Sequence, residues 1–222
     1  MEYSSVIFDM DGVILDYAGE NFEWQNKAVK KVLNRHGVNT EALDRSDFLK
    51  FLGAEGVPGC TEICKEHGLD TATMWEEIGE ETTKARARKM KQGELKLFPE
   101  VKEVLEQLHQ EDVLIGLISN APEMAIMQAM EYYDLKKYFK FYRGIEDFED
   151  LSDRKPHPDH LNFARAELKR DPFLYVGDHE TDIQAAKNAE MDSAWVNREN
   201  RSISTEPEYE IGDLKQIVSR IQ

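Results

Sequence analysis

Asp9 and Asp11 stand one residue apart at the end of an apolar run, in the stretch SSVIFDMDGVILD over residues 4–16. Carboxylates this close repel, so a structural role alone explains them poorly, and a positive species attracting both explains them better. Three more stretches put polar residues in comparable places. Ser119-Asn120 follows the apolar run 113–118, Lys155 lies in RKPHPD, and Gly177-Asp178 follows the run 173–176, with Asp182 four residues further on. Asp9, Asp11 and Asp178 at one point would demand a hard cation. Carboxylate oxygens with water suit Mg²⁺, which shares a substrate phosphate readily. Ser119 brings a hydroxyl donor, and Lys155 a point charge for phosphate oxygens. A site both acidic and basic fits phosphoryl transfer, where cation and lysine neutralise the phosphoryl group while a carboxylate attacks it. Singly, each feature has a plain reading, such as a helix cap for Ser-Asn or a solvated charge for Lys; together they point to one rim.

The elements that must hold these residues follow from the apolar pattern. Runs 6–8, 113–118, 173–176 and 193–196, with a shorter one at 139–142, are nearly continuous, as expected of strands buried on both faces of a parallel sheet. Between them, Val101, Val104, Leu105 and Leu108 recur at helical spacing, as do Ile126, Ala129, Met130 and Tyr133, and then Leu214, Ile217, Val218 and Ile221. Strand and helix alternate, which predicts an α/β core with a Rossmann-like parallel sheet. Sites in such sheets form beyond the carboxyl ends of the strands, which is where Asp9, Ser119 and Asp178 fall. Pro158 can open the helix that follows Lys155.

Residues 17–95 break the alternation. Helices are expected over Phe22–His36, stopped by Gly37, over Asp44–Leu52, over Cys60–His67 and over Thr73–Gln92, ended by Gly93. The stretch GAEGVPG, 53–59, predicts a loop. The pattern is that of an all-helical module, 17–95, inserted into a core made of 1–16 and 96–222, with joins near Asp16-Tyr17 and Leu95–Phe98.

At 222 residues and 41% hydrophobic, the chain can fill one core and a smaller second one. Its net charge of −16 and pI near 4.8 argue against nucleic acid or anionic membranes as partners. No apolar run approaches the roughly 20 residues of a membrane span, and no signal-peptide pattern precedes the first strand, so a cytoplasmic location is expected. The acidity suits either a salty cytosol or an ordinary acidic protein; the 17 Lys against 11 Arg do not favour the former. The sequence fixes no oligomeric state and is compatible with a monomer. Cys60 and Cys64, four apart, lack a matching pair to complete a metal site and read as small residues of one helix face.

DMDGV, LISN, RKPHP and GDHETD stand in the order and spacing of four motifs, and in this the chain resembles the haloacid dehalogenase-like (HAD) hydrolase superfamily. The insert after the first motif, with ELKLFPEVKEVLEQL at its return, is similar to the phosphoglycolate phosphatase and β-phosphoglucomutase branch, in which a helical cap sits there. The resemblance implies Asp9 as the nucleophile forming an aspartyl-phosphate and Asp11 as general acid and base. It implies Mg²⁺ held by Asp9, Asp178 and the main-chain carbonyl of Asp11. Ser119, Lys155 and the amide of Asn120 would bind the phosphoryl group, with Asp182 orienting Lys155 or a water. The implied activity is a Mg²⁺-dependent phosphatase acting on a small phosphorylated metabolite. A sugar phosphomutase and, further off, a phospho-aspartate signalling module remain alternatives.

Other residues read more plainly. His157 and His160 are expected at the surface near the helix opening at Pro158, and His179 beside the site. Met124, Met127 and Met130 are expected in the core, Phe22 and Trp24 in packing, and Lys84, Arg86 and Arg88 on a solvated face. Lys50 and the loop 53–59 are the expected readers of the leaving group. That loop holds Glu55 and no arginine, which predicts a preference for modestly charged organic phosphates.

Overall fold

The computed structural model describes residues 3–16 and 23–221. The chain enters β1 (Ser5–Phe8), which is buried throughout, turns at Gly12 and leaves the sheet through β2 (Leu15–Asp16). Helices α1 (Glu23–Arg35), α2 (Arg45–Phe51), α3 (Gly56–Glu66) and α4 (Thr71–Lys91) follow. The chain returns through β3 (Lys96–Leu97), antiparallel to β2, with Leu15 opposite Leu97. Then come α5 (Val101–Gln110), β4 (Leu114–Pro122), α6 (Glu123–Tyr132), β5 (Phe139–Ile145), α7 (Asp159–Leu168), β6 (Phe173–Gly177), α8 (Glu180–Asn188), β7 (Asp192–Val196), β8 (Tyr209–Ile211) and α9 (Lys215–Ile221).

Among the described residues, six strands form one sheet in the order β5-β4-β1-β6-β7-β8, with every neighbouring pair parallel. The expected α/β architecture with a parallel sheet is therefore present. β1 is central: Ser5 lies opposite Leu114 of β4 on one side and Phe173 of β6 on the other. Its side chains alternate between two layers, as the strand period of two requires. Val6 and Phe8 pack with Leu105 of α5 and Ile217 of α9. Ile7 faces Leu161 and Ala164 of α7 and Ala185 and Ala186 of α8.

The helices α1–α4 build a third apolar cluster from Val29, Leu33, Phe51, Ile63, Cys64 and Met74. Ile145, the last residue of β5, and Leu151 beyond it join this cluster, so the helical layer is docked on the sheet layer and not merely tethered. Local signals fix its helix starts. Asp44 and Asp47 form a capping box at α2, and Asp70 accepts from the Thr73 amide (2.9 Å) at α4.

Several expectations change. Residues 56–59 do not belong to a loop: Gly56 opens α3, and Pro58 sits in its first turn, where its missing N–H leaves no gap in the helix ladder. Met124 and Met127 are 49% and 38% exposed; the inward face of α6 is Ala125, Ile126, Ala129 and Met130. The short edge strand β8 carried no continuous apolar run and was not expected. Phe22 and Tyr17 lie outside the described residues. Cys60 and Cys64 are buried free thiols of α3. No helix among the described residues is long and apolar enough to cross a membrane.

Candidate active site

The strand ladder sets the position of Asp9. Its amide donates to the Val176 carbonyl (2.8 Å), extending the β1–β6 pairing one residue past Phe8 and leaving its carboxylate at the carboxyl edge of the sheet. Lys155 meets it there. The Lys155 Nζ donates to Asp9 Oδ1 (2.7 Å), Asp182 Oδ1 (2.6 Å) and the Tyr175 hydroxyl (2.8 Å). These three acceptors match the three protons of an ammonium, all within a buried space. Asn120 fixes the backbone of the lysine: its Oδ1 accepts from the Lys155 amide (2.9 Å) and its Nδ2 donates to the Lys155 carbonyl (3.1 Å). Ser119 is buried beside it, its Oγ accepting from the Ala121 amide (3.2 Å).

Asp182 lies in the first turn of α8, where its Oδ2 accepts from the His179 amide (2.9 Å) as part of a capping box. Both of its oxygens are thus engaged. Asp178 is held by its main chain: its carbonyl accepts from Trp195 Nε1 and Arg201 Nη2, both at 2.9 Å, and Arg201 also reaches Oδ2 (3.1 Å). Gly12 makes room for it. Its φ is +80°, and a Cβ there would collide with the Asp178 carboxylate.

The charges are unbalanced in a way that asks for a cation. One oxygen each of Asp9, Asp178 and Asp182 lies within 4.8 Å of the others. Burial pushes the Asp9 carboxyl up to about 8, against the opposing pull of the Lys155 ammonium and with Asp182 and Asp178 adding to the rise. Asp178 is raised by burial and by Asp182. Burial alone would lower Lys155, but Asp182 and Asp9 outweigh it and hold its pKa well above the ordinary lysine range. Lys155 and Arg201 together face three carboxylates, one negative charge stays unmatched, and Asp9 and Asp178 retain open valences; a hard divalent cation fits this donor set.

The helices supply the facing wall. A cavity of about 700 Å³ lies between them and the sheet edge, lined on the helical side by Trp24, Leu49, Trp75, Ile78, Thr83 and Arg86 among others. Arg86 corrects the sequence reading. It is 4% exposed and not on a solvated face, and it grips Asp11 through both nitrogens, Nη1 to Oδ1 at 2.6 Å and Nη2 to Oδ2 at 2.7 Å. The signal was available: Met74, Ile78, Thr82, Arg86 and Met90 recur every four residues, so the arginine falls on the inward stripe of an otherwise charged helix.

The remaining candidates divide. His179 lines the cavity and caps α8, and Trp24 lines it from α1. His160 is 1% exposed and bonds Asp150 (3.1 Å), contrary to the expected surface position, whereas His157 is exposed. Lys50 pairs with Glu62 (3.1 Å); Leu49, Leu52 and Ala54 line the cavity in its place. Arginines reach the cavity despite the arginine-free loop: besides Arg86, these are Arg154, Arg198 and Arg201. The last two follow β7 at the same carboxyl edge, so the rim rule applied to that strand would have found them. The Tyr175 hydroxyl had no sequence signal, because it sits inside a continuous apolar strand.

Comparison with known proteins shows the family. The family model for haloacid dehalogenase-like hydrolase matches residues 6–196, and the chain belongs to that family. A phosphoglycolate phosphatase of Vibrio parahaemolyticus is 38% identical over 95 residues, which is 42% of this chain and 40% of that protein. The match thus spans about two fifths of that relative's length. The pyrophosphatase PpaX of Oceanobacillus iheyensis is 25% identical over 99% of this chain and 97% of its own. Among solved structures, CbbY from Rhodobacter sphaeroides in complex with phosphate superposes with a TM-score of 0.74 over 97% of this chain and 96% of that one, at 15% identity, a likeness of fold.

Proposed function

We propose that the protein is a Mg²⁺-dependent phosphatase that hydrolyses a small phosphate monoester through an aspartyl-phosphate on Asp9. In this reading residues 17–95 are a helical cap over a core formed by 1–16 and 96–222. The carrying observation is the buried Asp9–Lys155–Asp182 chain at 2.6–2.7 Å, with Asp178 beside it at the carboxyl edge of the sheet. The phosphatase relatives support the reaction class.

Asp9 attacks phosphorus, forming a carboxylate–phosphorus bond as the bond to the leaving oxygen breaks. Asp11, protonated, gives its proton to that oxygen, and the alcohol departs. Water then attacks the phosphoryl group on Asp9, Asp11 takes its proton, and inorganic phosphate leaves with the Asp9 carboxylate restored. Lys155, the Ser119 hydroxyl and the Asn120 amide hold the phosphoryl oxygens, and Asp182 and Tyr175 aim the lysine. Asp9, Asp178 and the Asp11 carbonyl would hold Mg²⁺, which would neutralise phosphoryl charge and favour the ionised form of Asp9. The cap excludes bulk water during transfer.

A panel of phosphorylated metabolites, assayed for phosphate release with and without Mg²⁺, tests this. Release is expected to require the ion and to fall at least about 10³-fold in Asp9→Asn with an unchanged circular dichroism spectrum. Full activity in that variant would refute the mechanism. Dependence on a bisphosphate activator would favour the mutase, and a long-lived phospho-Asp9 without turnover the signalling module.

A further inference from the structure

We infer that the β5 edge of the sheet is a self-association surface, on which a second copy of this chain docks antiparallel, β5 against β5, about a two-fold axis. No residue of β5 lines the cavity.

β5 pairs with β4 on one side, and among the described residues no strand pairs with its other side. Its outer backbone groups are therefore open to another strand. Both flanks are apolar. α6 packs on one face of β5 and α7 on the other. Among the described residues, all of the exposed large hydrophobic side chains lie on these two helices: Met124, Met127 and Tyr132 on α6, and Phe163 on α7. Phe141 of β5 packs against Phe163, with ring centroids 5.6 Å apart, and the Arg143 guanidinium lies 4.9 Å from the centre of the same ring. Apolar groups gathered on both sides of one open edge mark a contact surface.

The charge along this edge says what covers it. Residues 136–143, KKYFKFYR, carry four basic side chains and no acidic one, although the whole chain has a net charge of −16. Residues 146–150, EDFED, carry four acidic side chains and no basic one. A stretch that is basic first and acidic after is complementary to itself when two copies run antiparallel. Reversing 136–150 about its middle residue, Arg143, brings Lys140 opposite the partner subunit's Glu146 and Lys137 opposite the partner subunit's Glu149. The two-fold axis makes each pair twice. Lys140, Glu146 and Glu149 are exposed and join no ion pair among the described residues. Arg143, which would meet its own copy, is already neutralised by Asp150 (2.7 Å).

The edge is also selective. The register of β5 slips between Ile115 and Gly116 of β4, which leaves Lys140 out of the pairing. A charged residue on a bulged edge turns away strands that cannot answer its charge. β8, at the other edge, is three residues long and offers too little backbone for the same contact.

Sedimentation velocity at low ionic strength, over about 10 µM to 1 mM protein, tests the surface. The wild-type protein is expected to dimerise within that range. Lys140→Glu alone and Glu146→Lys alone each set like charges against one another at both symmetric positions, and each is expected to weaken the dimer about 10-fold or more. An equimolar mixture of the two variants matches the charges again, so a heterodimer of near wild-type affinity should form, as should a homodimer of the chain carrying both changes. Both positions are exposed, and circular dichroism checks that each variant is folded. A wild-type protein that stays monomeric throughout overturns the inference. So does a dimer indifferent to either substitution, or a mixture of the variants that associates no better than each alone.

Discussion

The two walls of the cavity are made differently. The sheet wall gathers Asp9, Ser119, Lys155 and Asp182, all buried, from separate strands and the loops and helix that follow them, and it ties Asp9, Lys155 and Asp182 into a continuous charged network. The helical wall is mostly apolar: Trp24, Leu49, Trp75 and Ile78 surround a single guanidinium, Arg86. A network of interlocked charges tolerates little change, because removing one member strands the others in a poorly solvated space. An apolar wall with one charge can be altered residue by residue. The sheet wall is thus constrained by its own electrostatics, and the helical wall is free to vary.

The contrast breaks most sharply at Lys155. Lys155→Met is expected to lower unfolding free energy by about 3–5 kcal/mol at neutral pH, measured by denaturant titration. Asp9, already raised by burial to about 8, binds its proton more tightly folded than unfolded. Protonation therefore stabilises the folded variant, and part of the loss should return as the pH is lowered toward 5. An undiminished stability would show that the network is not interdependent. Gly12→Ala probes the same wall through its backbone. Displacing the Asp178 carboxylate should weaken Mg²⁺ affinity about 10- to 100-fold, read as a smaller Mg²⁺-induced rise in Tm. The smallest effect is expected on the helical side. Burial alone would raise Glu81, but Lys31 (2.7 Å) and Arg35 (3.0 Å) outweigh it and hold its carboxyl below the ordinary range. Its contribution is present above the ordinary glutamate pKa and is lost as pH falls below it. Glu81→Gln should lower stability by only about 1 kcal/mol at pH 7, because its basic partners are largely solvated. A loss as large as that at Lys155 would erase the distinction between the charges of the helices and those of the sheet edge.

The sheet wall was also the more legible in the sequence. Its inner strands β1, β4 and β6 hold continuous apolar runs with few alternative readings, and a polar residue of the rim follows each run. Charged or hydroxylic residues at such ends have little else to do. The helical wall obeys weaker rules. GAEGVPG looks like a loop by composition, yet Pro58 falls in a helix's first turn, where proline is tolerated. Met124, Met127 and Met130 share a helical spacing, but only Met130 falls on the buried face. Arg86 was hidden among the other basic residues of α4, and only its place on the inward stripe sets it apart. Tertiary burial decided each of these cases, and burial is not local information.

The pairing of β2 with β3 carries a mechanical consequence. The strand leaving the sheet and the strand returning to it are hydrogen-bonded to each other, Leu15 beside Leu97 and Asp16 beside Lys96. Were the packing on Ile145 and Leu151 to part, a layer joined through two adjoining, cross-linked strands would swing about them and not slide sideways. Any such swing would carry Arg86 along an arc, drawing it off Asp11 and returning it to the same spot.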